Sequence, residues 1–117
     1  ILGLTFKPET DDMRDSPSLS IIPPLLDKGA TIKAHDPKGI KEAKHELPDT
    51  VQYVDDINDA VTGADALVIM TEWNEYRSLN LTELKKKMRG NAFIDLRNVY
   101  ERDAVEAAGF DYAAVGR

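Results

Sequence analysis

The chain has 117 residues, of which 42% are hydrophobic and 31% are charged, and this composition predicts one globular domain, 1–117, with a buried core. No apolar run approaches the roughly 18 residues that a membrane-spanning helix needs, and the net charge of −6 disfavours a nucleic-acid or anionic-membrane surface, which depends on Lys and Arg. The sequence has no cysteine, which excludes disulfides, thiolate metal sites and a cysteine nucleophile within this chain.

Short apolar runs alternate along the chain with longer amphipathic runs. The six runs that predict strands are 1–6, 30–36, 51–54, 66–71, 91–96 and 110–116. The five runs between them that predict helices are 17–28, 39–46, 55–63, 81–88 and 101–109. Strands that alternate with helices in this way are typical of a doubly wound α/β fold. We therefore expect a mostly parallel sheet of about six strands with helices on both faces.

The first predicted helix has clear start and stop signals. Ser16 offers a capping hydroxyl, Pro17 takes the favoured first helical position, and Gly29 follows the last turn. Pro23 and Pro24 fall inside this helix, where each proline removes a backbone hydrogen bond at a cost of about 3 kcal/mol. We expect the helix either to kink at this pair or to consist of two short pieces.

Ligands of open parallel sheets bind beyond the carboxyl ends of the strands, where the strand order reverses. The loop after the first predicted strand, 6–15, has no glycine that would let backbone amides approach a diphosphate, and its four carboxylates would repel one. Asp36, after the second strand, stands where a ribose-binding acid is found in dinucleotide-binding domains. Because the glycine-rich turn is missing, we do not expect a self-sufficient NAD-binding domain.

The charged residues of this loop have two interpretations. Asp11, Asp12 and Asp15 precede a helix, and the helix dipole favours negative charge there. The same carboxylates are also placed to orient the guanidinium of Arg14 by charge-assisted hydrogen bonds.

Two cations lie at the carboxyl ends of predicted strands. Lys7 directly follows Phe6, which puts a charge beside an aromatic ring, and the alternative is an ordinary solvated lysine. Arg97 ends the fifth strand, where it is placed to meet a phosphate or a carboxylate. The alternative for Arg97 is an ion pair with Asp95 or with the acids of the first loop.

The histidines and the central aromatic residues are weaker candidates for functional residues. His35 and His45 lie in separate elements without further ligands at metal-binding spacing, so we expect no metal site. Trp73 and Tyr76 are interpreted as core or interface residues.

Four segments together resemble a known family. They are "GLTFKPETDDMRDSP" (3–17), "HDP" (35–37), "ADALVIMTEW" (64–73) and "FIDLRN" (93–98). In this order and at this spacing they are similar to the C-terminal, UDP-binding domain of the UDP-glucose/GDP-mannose dehydrogenases. The resemblance implies a Rossmann-like fold and a nucleotide-sugar-binding domain of a longer, cytoplasmic enzyme. Ile1 begins inside an apolar run without an initiator methionine or a signal peptide, which agrees with an excised piece.

The resemblance also implies partners and site residues. It implies an N-terminal NAD-binding domain, a central helical domain that mediates dimerisation, and a cysteine nucleophile, all outside this chain. Such an enzyme oxidises the C6 alcohol of UDP-glucose to the carboxylate of UDP-glucuronate with two NAD, so the domain alone is expected to be inactive. By motif position, Phe6, Lys7 and Arg97 resemble residues that contact the UDP-sugar, and Arg14 resembles one on the NAD side of the cleft. A homodimer or a larger assembly of the whole enzyme is expected, without metal, nucleic acid or membrane.

Two alternatives remain at this point. The substrate is GDP-mannose or UDP-N-acetylmannosamine in related members of the family. In another class, a phospho-acceptor receiver domain is suggested by Asp11, Asp12, Asp55 and Thr71. That chemistry needs acids directly at the strand end and a lysine where this sequence has Arg97, which disfavours it.

Overall fold

A computed structural model describes residues 1–115 as alternating strands and helices. The strands are β1 (Lys33–Ala34), β2 (Gln52–Tyr53), β3 (Ala66–Ile69), β4 (Ala92–Asp95) and β5 (Asp111–Ala114). The helices are α1 (Ser18–Asp27), α2 (Ile40–Glu46), α3 (Ile57–Val61), α4 (Leu81–Lys87) and α5 (Arg102–Ala107), with a 3₁₀ helix at Asn74–Tyr76. Gly116, placed in the last predicted strand, lies outside the described residues. No helix among residues 1–115 has the length and apolar character that a membrane crossing requires.

The strands form one parallel layer whose order reverses at Leu2. β1 pairs with β2, and β4 lies between β3 and β5, all in parallel. Leu2 forms parallel bridges to His35, directly after β1, and to Ile69 in β3. Its N–H donates to Val68 O at 2.8 Å. The spatial order is therefore β2-β1-Leu2-β3-β4-β5, which confirms the doubly wound, Rossmann-like α/β fold.

The predicted first strand is wrong, and residues 1–115 form five strands rather than six. Gly3 has φ +95°, and a Cβ there would lie 2.6 Å from Thr71 Cβ. This left-handed conformation ends the extended backbone after a single bridged residue. Beyond it, the N–H groups of Leu4 and Thr5 donate to the Asp36 carboxylate instead of to a neighbouring strand.

Helices cover both sides of the layer, and each side has its own core. One core packs α1 and α2 against the β1–β2 half, and its buried side chains include Leu4, Ile22, Ile32, Ala43 and Val51. The other packs α3, α4 and α5 against the β3–β5 half, and its buried side chains include Val61, Leu67, Leu84, Phe93 and Val105. Each large buried side chain contributes about 1.5–3 kcal/mol by removal from water.

Helix α1 is continuous through Pro23 and Pro24, so the expectation of two short pieces is wrong. Gly29 ends it with φ +95°, as predicted. At its start, Ser16 Oγ accepts from Ser18 N at 3.3 Å and donates to Leu4 O at 2.5 Å. The N-cap of α1 is Pro17, without a side-chain cap, so the predicted cap at Ser16 is wrong. The Ser16 hydroxyl instead connects the start of the helix to the first segment.

The carboxylate of Asp36 connects the first segment to the start of α2. Its Oδ2 accepts from Leu4 N at 2.8 Å, Thr5 N at 3.1 Å and Thr5 Oγ1 at 3.2 Å. Its Oδ1 accepts from Lys38 N at 2.9 Å and Gly39 N at 2.7 Å. Asp36 is buried, and both oxygens are engaged by the protein. Although Asp36 stands at the position of a ribose-binding acid, its carboxylate is used by the protein's own N–H groups.

We expect Asp36→Ala to lower the free energy of unfolding by about 3–5 kcal/mol, because it leaves several buried N–H groups without an acceptor. Urea unfolding followed by the fluorescence of Trp73 measures the change. Asp55→Ala removes an exposed aspartate after β2 and should cost less than about 0.5 kcal/mol. A loss below about 1 kcal/mol for Asp36→Ala would contradict this account.

Candidate functional site

Three loops meet at the carboxyl edge of the layer, beside the reversal at Leu2. They follow the first segment, β3 and β4. Thr71 Oγ1 donates to Thr5 O at 2.7 Å, which ties the loop after β3 to the first segment. Arg97 Nη2 donates to Phe6 O at 3.2 Å, which ties the loop after β4 to the same segment. The structure therefore brings together two of the residues that the sequence nominated separately, Phe6 and Arg97.

Arg97 forms an ion pair with Glu72, a residue that sequence reasoning missed. Arg97 Nε lies 3.2 Å from Glu72 Oε2, and Nη2 lies 3.4 Å from Oε1. The Nε–H is buried without a well-directed acceptor, so the contact between Nε and Oε2 is an ion pair without a hydrogen bond. Nη2 donates to Oε1. Both side chains are partly buried, at 30% and 27% exposed. In the sequence, the feature that could have indicated Glu72 is its position directly after the most hydrophobic predicted strand, 66–71.

The predicted ion pair of Arg97 with Asp95 is wrong, because Asp95 has a different role. Asp95 is fully buried and accepts from the backbone N–H of Arg97 at 3.2 Å and of Tyr100 at 2.8 Å. Its Oδ2 also accepts from Tyr112 Oη at 2.9 Å. These bonds shape the loop after β4 and leave the guanidinium of Arg97 to the neighbouring loops.

Phe6 and Lys7 extend the same edge towards solvent. Phe6 is 42% exposed, one of three exposed large hydrophobic side chains within residues 1–115, and Lys7 is exposed as well. The backbone beneath them is fixed, since Phe6 N donates to Asp12 O at 2.9 Å and Thr5 Oγ1 donates to Lys7 O at 3.1 Å. The exposed residues Phe6 and Lys7 thus belong to the same segment whose backbone the Arg97 guanidinium contacts. Such a set suits an anion attached to a planar ring.

Asp12 orients Arg14 in the way that the sequence suggested. Asp12 Oδ1 accepts from Arg14 N at 2.9 Å, and Oδ2 accepts from Arg14 Nη2 at 2.9 Å. The hydrogen bonds and charge of Arg14 lower the pKa of Asp12 to about 2. The first turn of α1 holds no acidic residue, so the aspartates precede this helix and do not open it.

Arg14 lies on a separate, acidic side of the loop. An open groove of about 510 Å³ is lined there by Asp11, Asp12 and Arg14 together with Glu42 and Glu46 of α2. Arg14 is 88% exposed. Four acids around one cation would repel a bare phosphate.

His35 and Tyr76 form a buried pair rather than a metal site. His35 Nδ1 lies 2.7 Å from Tyr76 Oη, which also donates to His35 O at 3.1 Å. Burial lowers the pKa of His35 and raises that of Tyr76. Tyr76 and Trp73 belong to the core. Within residues 1–115, no three His, Asp or Glu side chains are grouped to hold a metal ion.

The residues of this chain do not form an NAD site by themselves. No glycine lies between Leu4 and Lys28, so the turn before α1 lacks the close backbone approach that a pyrophosphate requires. Asp36 is committed to the protein's own N–H groups. A cysteine nucleophile is also excluded, since the chain has no cysteine.

Comparisons with known proteins agree with this arrangement. The family model described as UDP-glucose/GDP-mannose dehydrogenase family, UDP binding domain, matches residues 1–102. The chain is 47% identical over all 117 residues to a UDP-glucose 6-dehydrogenase of Rhizobium meliloti, and it spans 26% of that protein. These matches confirm the resemblance inferred from the four motif segments.

Solved structures resemble the fold over 99% of the chain. An NDP-N-acetyl-D-galactosaminuronic acid dehydrogenase of Methanosarcina mazei matches with a TM-score of 0.85 and 34% identity. A UDP-D-ManNAc dehydrogenase of Pyrococcus horikoshii matches with a TM-score of 0.79 and 32% identity. The chain spans 24% of each of these proteins, about a quarter of the length of the relatives that it matches.

The buried His35 predicts a pH dependence of stability. Its folded-state pKa lies below the ordinary value of about 6.5. Below about pH 6.5 the unfolded chain binds a proton at His35 that the folded chain does not, so the free energy of unfolding falls as the pH falls. Above this pH the stabilisation is fully present.

Urea unfolding measured between about pH 5 and 7.5 tests this prediction. His35→Gln should flatten this part of the profile, whatever its overall stability. His45→Gln, which changes an exposed histidine at the end of α2, should keep the slope of the unmodified protein. An unchanged slope in His35→Gln would refute the assignment.

Proposed function

Because the chain belongs to the UDP-glucose/GDP-mannose dehydrogenase family, whose UDP-binding domain it matches, we propose that it binds the nucleotide part of UDP-glucose within a longer enzyme. In this proposal the whole enzyme is an NAD-dependent UDP-glucose 6-dehydrogenase that oxidises the C6 alcohol to a carboxylate and gives UDP-glucuronate. Residues 1–117 act as its single C-terminal domain and are not catalytic alone.

The observation that carries the proposal is the meeting of Phe6, Lys7 and Arg97 at one edge of the sheet. Arg97 Nη2 reaches Phe6 O at 3.2 Å, although the two residues are 91 positions apart. A nucleotide sugar has a planar base and a diphosphate. Cations recognise the diphosphate, and Arg does so with a planar fork of donors. An exposed ring beside them suits the apolar part of such a ligand.

The chemistry that these residues leave out must come from the rest of the enzyme. A cysteine nucleophile and a glycine-rich NAD turn are both missing from this sequence. We assign NAD mainly to an N-terminal domain and dimerisation to a central domain, in a cytoplasmic homodimer or larger assembly. Arg14, on the acidic side of the loop, is assigned to the NAD side of the cleft.

The choice of sugar rests on the comparisons. The relative named UDP-glucose 6-dehydrogenase is 47% identical, whereas the structures named for N-acetylated sugars are 32% and 34% identical. This order favours UDP-glucose over UDP-N-acetylmannosamine. Family membership replaces the receiver-domain alternative, whose Mg²⁺ site needs a group of acids that residues 1–115 do not form.

We expect Lys7→Ala and Arg97→Ala to weaken UDP binding to the intact dehydrogenase by about 10- to 100-fold each, since each removes a charge-assisted contact. Titration calorimetry with UDP measures the effect. Arg89→Ala is a matched control, because Arg89 pairs with Asp65 at the opposite edge of the sheet. Equal affinities in all four proteins would refute the proposed function.

For Arg14 we expect a different pattern in steady-state kinetics. Arg14→Ala should raise KM for NAD by about 5- to 10-fold, through the lost charge-assisted contact, and leave KM for UDP-glucose unchanged. Arg89→Ala again serves as the control. A change confined to KM for UDP-glucose would place Arg14 on the substrate side instead.

A further inference from the structure

The ion pair of Glu72 and Arg97 lies where the proposed ligand contacts meet. Glu72 faces one side of the guanidinium with both carboxylate oxygens, through Nε at 3.2 Å and Nη2 at 3.4 Å. Nη2 also donates to Phe6 O. Among residues 1–115, Nη1 has no hydrogen bond to the protein. The guanidinium is thus held on one side and free to donate on the other.

Both partners of the pair stand on a fixed backbone. Glu72 lies between Thr71 and Trp73, which are both buried, and Thr71 Oγ1 donates to Thr5 O. The backbone N–H of Arg97 donates to the buried Asp95 carboxylate. A carboxylate that is anchored in this way restricts the rotamers of a long, flexible arginine side chain.

Neither stability nor charge explains an acid at this position. Partly exposed ion pairs add little to stability. A negative charge beside Arg97 also weakens the attraction for a phosphate, which is the expected ligand of this edge. Orientation is the remaining benefit, because a fork held on one side presents its other side in one direction.

A second ion pair, between residues that precede β3 and β4, provides a comparison. Arg89 Nε donates to Asp65 Oδ1 at 2.7 Å and Nη2 donates to Oδ2 at 2.6 Å. Asp65 directly precedes β3 and Arg89 precedes β4, so this pair lies at the amino edge of the layer. It is well exposed and remote from the three loops of the site.

We propose that Glu72 is a positioning residue that holds Arg97 so that its Nη1 group faces the diphosphate of the nucleotide sugar. The proposal rests on the proposed function and adds a residue to it. Glu72 acts through Arg97 and touches no part of the substrate. Its effect is therefore confined to ligands that carry phosphate.

The test compares Glu72→Gln, Glu72→Asp and Asp65→Asn in the intact dehydrogenase, by titration calorimetry with UDP and with uridine. Glu72→Gln should weaken UDP binding by about tenfold and leave uridine binding unchanged. Glu72→Asp, which keeps the carboxylate, should restore most of the affinity. Asp65→Asn should match the unmodified enzyme. In kinetics, Glu72→Gln should raise KM for UDP-glucose more than it lowers kcat.

Two results separate the failure of this proposal from the failure of the proposed function. If Glu72→Gln binds UDP as tightly as the unmodified enzyme, or more tightly, while Arg97→Ala binds it weakly, Glu72 is only a counter-ion and the positioning role is overturned. If Arg97→Ala and Lys7→Ala also bind UDP normally, the nucleotide site itself is wrong. Equal losses for UDP and uridine in Glu72→Gln would likewise overturn the proposal.

Discussion

Five hydrogen bonds to one buried carboxylate, that of Asp36, determine how the centre of this domain is built. The first segment pairs with its neighbours only at Leu2, because Gly3 then turns into a conformation that a strand does not continue. Asp36 supplies acceptors to the N–H groups that this turn leaves unpaired, and to the first N–H groups before α2. The Asp36 carboxylate thus accepts the hydrogen bonds that a neighbouring strand would otherwise accept, at the position where the strand order reverses.

The hydrogen bonds around Asp36 also determine where the loops of the candidate site lie. Thr5 is held by Asp36, and its carbonyl oxygen accepts a hydrogen bond from the Thr71 hydroxyl. This bond holds the loop that contains Glu72 next to the first segment. Asp95 accepts two backbone N–H groups of the loop that contains Arg97 and the hydroxyl of Tyr112 in β5. Two buried aspartates, after β1 and at the end of β4, therefore fix the backbone around Arg97 without pairing with its guanidinium. The exposed Phe6 and Lys7 extend from this fixed base.

Sequence patterns predicted most of the fold because hydrophobic periodicity is a local property. All five helices and the last five strands lie where the patterns put them, with shifted ends. The first strand failed because its apolar run also suits a segment that is buried without a ladder, and the close approach of Gly3 to Thr71 is a tertiary contact. The continuity of α1 through two prolines was equally hidden, since packing of the helix overrides the local cost.

For the site, sequence predicted which residues stand at the strand ends but not which of them pair. Phe6 and Arg97 were nominated by position, and the motif segments indicated the family. Glu72 was overlooked because its importance depends on the alignment of β3 with β4, which brings it beside Arg97. The role of Asp36 is not evident from the sequence, because an acid after a strand can bind a ribose or the chain's own backbone.

The single tryptophan of the chain has an optical consequence. Trp73 directly follows Glu72, and its indole is buried among core side chains, with no hydrogen bond from Nε1 to any other residue in 1–115. Its emission should therefore lie towards the blue, as expected for an indole shielded from water. All tryptophan fluorescence of this domain therefore comes from Trp73, which is next in sequence to Glu72 of the Glu72–Arg97 ion pair. The domain thus carries its own fluorescent label beside the loops that a nucleotide would touch.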